Sequence, residues 1–247
     1  MAAMTAAPEH HLPEAVLRPV RGHHAFESCV EQLGTAIRLG VYPRGTTLPA
    51  ERELAERLQV SRATLREAMA ALRQAGLVET TRGRGGGTVV TLKPGTPSGR
   101  AAARITPAKR RDWLDALEYR RIVEPGAAAL AAGRALTDVR LAQLEQAHEE
   151  VTSARKPAEH RQADSRFHLT VASLTDSPRA IEAVTSVQAT LHEMLLAIPV
   201  LEANIAHSDR QHARVVRAIV AGNPDLARRA MQEHCDDTAA LLRGLVG

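Results

Sequence analysis

The chain is short of cysteine, has no long apolar run and, over one stretch, has no acid at all. Each shortage removes a class of protein. Cysteine occurs twice in 247 residues, as Cys29 and Cys235 and never at CxxC spacing, so a disulfide framework is not expected and both thiols read as reduced groups of a cytoplasmic protein. No hydrophobic stretch approaches the roughly 18 residues that a membrane span needs. The segment Met1–Arg21 is rich in Ala, Pro and His, carries Glu9 and Glu14 and lacks a hydrophobic signal core, so residues 1–20 are expected to form a loose tail rather than a secretion signal. What remains is ordinary globular composition, 44% hydrophobic and 24% charged, in a chain long enough for two domains with separate cores.

The missing acids lie in residues 93–111, which hold six Lys/Arg and no Asp/Glu. Residues 18–92 carry 11 basic against 7 acidic side chains, and residues 112–247 carry 15 against 19. A basic front and an acidic back point to a polyanionic partner for the first half only.

That front half is patterned for DNA. Phe26, Val30, Leu33 and Ile37 recur at helical spacing up to Leu39, and Gly40, Pro43 and Gly45 break the pattern. A short helix over Glu51–Leu58 follows, then a turn at Gln59-Val60, then Ser61 as the N-cap of a second helix through Gln74, closed by Gly76. In this second helix Leu65, Ala68, Met69 and Leu72 form the inner face, while Arg62, Thr64 and Arg66 project from its first turns. This is what a recognition helix requires: arginines aimed at guanine edges or phosphates, Ser61 and Thr64 within reach of phosphates, and a core face held by the preceding helix. Two short strands, Val78–Thr81 and Thr88–Thr91, flank the basic glycine-rich tip Arg82–Gly87, which is suited to the DNA backbone or minor groove. A nucleotide-phosphate loop is the competing reading of that tip, but it lacks Gly-Lys-Ser/Thr and precedes a strand rather than a helix.

Residues 93–108, rich in Pro, Gly, Ser and Ala, read as a linker. From residue 109 on the period is helical almost throughout, in six segments: Trp113–Ala135, Asp138–Ala154, Ala158–Leu174, Pro178–Ala197, Ser208–Ala221 and Pro224–Leu245. No strand pattern survives, so an all-helical bundle is expected, with an interior suited to a metal. Asp164 and His168 are four apart and share a helix face; 43 residues separate His168 from His212, and 21 separate His212 from His234. All four border apolar stripes. One carboxylate and three imidazoles suit a borderline divalent ion, with zinc first and nickel or manganese as alternatives. A helical histidine is commonly structural or exposed, so the spacing alone leaves a metal site and a set of core histidines both open.

The stretch from Leu48 to Val78, LPAERELAERLQVSRATLREAMAALRQAGLV, resembles the winged-helix signature of the GntR family of bacterial transcription regulators. The resemblance covers about residues 24–91. It implies a winged helix-turn-helix domain over residues 21–92, three helices and a small β-hairpin, with DNA contacts by Arg52, Ser61, Arg62, Thr64, Arg66, Arg82 and Gly83. Ala50 stands where many members have a capping Ser. Further on, YRRIVEPGAAALAA from Tyr119, DSRFHL from Asp164, HARVVRAI from His212 and AMQEH ending at His234 resemble the FCD domain of the FadR subfamily. The fold class implied is mainly α, the winged helix joined to an all-α effector-binding bundle over residues 109–247. The resemblance also implies a metal held by Asp164, His168, His212 and His234, a small carboxylate effector beside it, and Arg120 as the partner of that carboxylate. Ser177 replaces the Asn often found before Pro178, so effector identity does not transfer. The expectation is a cytoplasmic, homodimeric, effector-controlled regulator of palindromic operator DNA, a repressor rather than an activator and not an enzyme. A metal-dependent enzyme and a purely structural metal are the rival readings.

Overall fold

The computed structural model describes residues 12–20, 25–81, 87–93, 105–197 and 202–246. The N-terminal domain holds α2 (Ala25–Arg38), α3 (Glu51–Leu58) and α4 (Arg62–Gln74), then β1 (Val78–Thr80) and β2 (Thr88–Val90). α3 starts after Ala50 without a side-chain cap, and a left-handed Gln59 turns the chain. α4 starts where expected: the Ser61 hydroxyl accepts from the Thr64 amide at 3.0 Å. The strands pair antiparallel, Val78 opposite Val90 and Thr80 opposite Thr88, and Thr47 bridges to Val89. Leu54, Leu58, Leu65, Met69 and Leu72 pack with Leu33 and Ile37 of α2 in one buried core.

The second domain comprises α5 (Pro107–Ala132), α6 (Asp138–Ser153), α7 (Pro157–Ser173), α8 (Pro178–Ala197), α9 (Glu202–Val220) and α10 (Pro224–Val246). Thr106 and Thr137 cap α5 and α6, and Ser177 and Asn223 accept amide bonds at the starts of α8 and α10. Prolines occupy first-turn positions of α5 and α7, where a missing N–H costs nothing. α5 begins six residues earlier than the apolar period suggests, because the Thr106-Pro107 cap, not the first buried side chain, sets its start. α5 packs on α8 and α10, α9 on α6 and α10, and α7 on α6 and α8. Among the described residues no helix is long and apolar enough to cross a membrane.

One expectation is revised. Leu12–Val20 does not read as a loose tail: α1 (Leu12–Val16) packs against α7 and α8, and Ala15, Val16 and Leu17 are buried. The Val20 amide bonds the Leu58 carbonyl at 2.8 Å, and Arg18 pairs with Glu182 at 2.5 Å. Five residues are too few to show a helical period, and the Ala, Val and Leu involved find their partners only in tertiary structure. Through them the core of the winged helix continues into Leu169, Ile181 and Val184 of the bundle.

Candidate metal centre and DNA surface

Three of the expected ligands converge. His168 of α7, His212 of α9 and His234 of α10 are all buried, with one ligand nitrogen from each lying within 4.8 Å of the others. Each residue sits beside apolar positions of its helix, so burying the stripe carries the imidazole inward. Phe167 packs on the His212 ring at a centroid distance of 4.5 Å. Asp164, one turn before His168, places Oδ1 3.5 Å from His212 Nε2 at the rim, less deeply buried than the histidines.

The outer nitrogens of His234 and His168 face groups that spacing did not reveal. His234 Nδ1 meets the Gln211 side-chain oxygen at 3.1 Å, while the Gln211 amide nitrogen donates to Asp237 at 2.6 Å. The amide oxygen only accepts, so Nδ1 carries the proton and Nε2 keeps its lone pair. His168 Nδ1 lies 2.9 Å from Glu124 Oε2. Among the described residues neither ring nitrogen of His212 finds a hydrogen-bond partner, although the ring is fully buried. A buried imidazole left unsatisfied is costly, and a divalent ion would occupy one of those nitrogens. Carboxylate plus imidazoles, two of them with a second nitrogen facing an amide or a carboxylate, is a donor set that fits such an ion. Burial, then the neighbouring histidines and Arg120, pushes His212 and His234 well below the ordinary histidine range. Both are therefore neutral at pH 7, the form a metal requires.

Arg120 is 1% exposed and occupies the centre of this arrangement. Its Nη2 lies 3.0 Å from His234 Nε2 and 3.3 Å from His168 Nε2, and its Nε donates to Glu124 at 3.0 Å. Glu124 also accepts from Gln188 at 2.6 Å and from the Cys235 thiol at 3.6 Å. Burial alone would raise the Glu124 carboxyl, but the Arg120 charge, with the contacts to His168 and Gln188, outweighs it and holds the group below the usual carboxylate range. Burial likewise opposes the charge on Arg120, and Glu124 overcomes it, so the guanidinium is held above the ordinary arginine range. Glu124 is the residue that sequence reasoning missed. Its only signal was the i,i+4 spacing from Arg120, which ordinarily marks a surface pair. A pocket opens beside the cluster, walled by Arg120, Asp164 and His234, by His160 and Arg161, and by Leu191, Leu195, Ile205 and Leu241.

On the other domain Ser61, Arg62 and Arg66 are exposed at the start of α4, and Thr64 is half-buried with its hydroxyl 2.8 Å from that of Ser61. Arg52 is exposed on α3 and pairs with Glu56 at 3.2 Å. Arg82 and Gly83 lie outside the described residues.

A winged helix with exposed arginines on its second helix, joined to a helical bundle, is the architecture of a DNA-binding regulator. Residues 26–90 match the bacterial regulatory proteins of the gntR family, and residues 115–237 match the FCD domain. The HTH-type transcriptional repressor NanR of Klebsiella aerogenes is 30% identical, over 92% of this chain and 89% of that protein. The Glc operon transcriptional activator of Escherichia coli is 28% identical, over 84% and 85%. The solved structure of E. coli McbR/YncC aligns with 90% of this chain and 99% of its own, with a TM-score of 0.55 at 18% identity, a likeness of fold alone. The chain belongs to the gntR family, in the FCD-containing architecture that fits its FadR subfamily.

Proposed function

We propose that the protein is a homodimeric transcription regulator, acting as a repressor, whose affinity for a palindromic operator is set by a small organic acid bound at a divalent metal in the helical domain. The observation that carries this reading is the position of Arg120. Its Nη2 stands at the Nε2 atoms of His168 and His234, where the lone pairs of a metal site would converge. A divalent cation and a permanent guanidinium repel each other at such range unless an anion lies between them. A carboxylate has an oxygen for each, and the adjoining pocket gives it access.

In this reading Asp164, His168, His212 and His234 hold the ion, with zinc first and nickel or manganese as alternatives. The ion supplies a Lewis-acidic anchor for the acid. Arg62 and Arg66 read bases or phosphates, Arg52, Ser61 and Thr64 add phosphate contacts, and Arg82-Gly83 act at the wing. Two recognition helices on a two-fold axis match palindromic half-sites. An enzymatic reading is disfavoured because Glu124, a carboxylate beside the cluster, is occupied by Arg120, Gln188, Cys235 and His168 rather than available as a base. The relatives are regulators of both signs, a repressor and an activator.

The test combines elemental analysis with calorimetric titration of small carboxylic acids into metal-loaded and chelator-treated protein. About one divalent ion per chain is expected, lost in the His212→Ala, His234→Ala double variant. Acid binding should require the metal and change operator affinity by about 5–150-fold. Acid binding unaffected by chelation would refute the metal anchor. A metal-loaded protein that binds no acid would mark the ion as structural.

A further inference from the structure

One side of α5 faces the core, where Trp113, Leu117, Arg120, Glu124 and Ala131 are buried. On the opposite side Asp112, Asp115, Tyr119, Ile122, Gly126 and Leu130 follow one another three or four residues apart along a single stripe. Tyr119, Ile122 and Leu130 are exposed, Ile122 to 71%. Between the last two, Gly126 leaves a notch: a Cβ there would meet nothing within 4 Å. Exposed apolar residues scattered singly need no explanation, but a row of them at the spacing of a helix-pairing seam marks a contact surface. The two ends of the row differ in charge. Asp112 and Asp115 stand at its start, and Arg134, exposed just beyond the last residue of α5, meets Asp176 only at 3.7 Å.

We propose that this stripe is the contact between two copies of the chain, α5 packing antiparallel on the partner's α5 about a two-fold axis. This interface rests on the homodimer proposed above and locates its axis. The charges select the direction. Antiparallel packing sets the acidic start of each helix beside the basic end of the other, whereas parallel packing would set like charges together. One register then serves every position. With the axis level with Glu124 and Pro125 and the helices crossing at about 20°, Ile122 enters the notch at the partner's Gly126. Tyr119 lies over the partner's Leu130, and Asp115 comes within reach of the partner's Arg134. The contact is isologous, so each pair occurs twice.

Sedimentation equilibrium on the full chain, from nanomolar to micromolar concentration, tests this. Wild type should be a dimer. Ile122→Glu places a carboxylate in each of the two notches and should raise the dimer dissociation constant about 100-fold or more. Asp115→Arg and Arg134→Asp should each weaken the dimer by about tenfold, while the double variant, which reverses the pair rather than removing it, should recover wild-type affinity. Circular dichroism melts show whether each variant is folded. A dimer untouched by Ile122→Glu, or single-variant losses that persist in the double variant, overturns the interface and leaves the homodimer standing. A wild type that is monomeric throughout overturns both. If Ile122→Glu does not fold, the exchange of Asp115 and Arg134 decides alone.

Discussion

Gln162 Nε2 donates to the backbone carbonyl of Arg38 at 3.0 Å, tying the helix that carries Asp164 and His168 to the last residue of α2 in the DNA-binding domain. Arg166 of the same helix reaches the Gly40 carbonyl at 3.3 Å and pairs with Glu150 at 2.7 Å. Two residues on either side of Asp164 thus grip the winged helix. Movement of α7 on ligand binding would be transmitted through these contacts directly, beside any route through the basic linker.

Gly40 makes that grip possible. Its φ is +74°, and a Cβ there would come within 2.8 Å of both Gln162 Cβ and Arg166 Nη1. Gly40→Ala should therefore cost about 1–3 kcal/mol in chemical denaturation, from backbone strain and the clash together. Gln162→Ala should cost only about 1 kcal/mol yet weaken the effector's influence on operator affinity. Gel shifts with and without effector would show this, and a response identical to wild type in both variants would remove α7 from the coupling path.

Glu124 should matter more than its absence from the ligand set suggests. Glu124→Gln preserves shape but leaves the Arg120 charge buried without its carboxylate, so a loss of about 3–5 kcal/mol is expected. The variant also weakens the acceptor facing His168 Nδ1, so metal affinity should fall about 10–100-fold. Competition with a fluorescent chelator measures the second effect on whatever protein remains folded. Unchanged metal affinity would show that Glu124 serves Arg120 alone.

Acidification should destabilise the metal-free protein. His192 is held at about 4, and His212 and His234 lie well below the ordinary histidine range, against about 6.5 in an unfolded chain. Below pH 6.5 the unfolded state binds protons that the folded state refuses, so stability falls as pH drops from about 6.5 toward 4. Each histidine contributes on the order of 1 kcal/mol per pH unit in that window. Burial lowers His160, but the bond to Asp209 and the charges of Asp164 and Asp209 together outweigh it, for a net rise. Its contribution is therefore present below pH 6.5 and lost as pH climbs, a smaller opposing slope. Urea midpoints at pH 7.5, 6.5 and 5.5 measure the balance, and a midpoint that rises on acidification would contradict it.

Most helices were legible because each has one apolar stripe and a recognisable stop. Pro178–Ala197 was expected with both observed ends, and Ser61 was identified as a cap because nothing else in Gln59–Arg62 fits that role. The histidines were legible because each lies beside an apolar stripe, so burial of the stripe decides where the ring points. Glu124 was not, and Arg120 was named only through the family resemblance, since i,i+4 opposite charges look alike whether solvated or buried, and only packing by α7, α8 and α10 distinguishes the two. Gln162 and Gln211 were hidden for the same reason: a glutamine carries no period, and its partner is chosen by tertiary structure. The short α1 was invisible because one and a half turns cannot display a repeat.

The DNA surface gives the most direct check. Arg62 and Arg66 are both exposed on the first turns of α4, and the Ser61 cap fixes the start of that helix. An arginine that reads a guanine edge loses about 1–3 kcal/mol and relaxes preference at one position when replaced by alanine. One that meets only phosphate weakens all sequences about equally and lowers the slope of log affinity against log salt by about one. Ser61→Ala differs from both. It removes the cap that holds α4, costing about 1 kcal/mol of domain stability along with any phosphate contact. Gel shifts over a salt series on the operator and on operators mutated one position at a time would sort Arg62 and Arg66 into base-reading or phosphate-positioning roles. Wild-type operator affinity and salt slope in both arginine variants would remove α4 from the interface altogether.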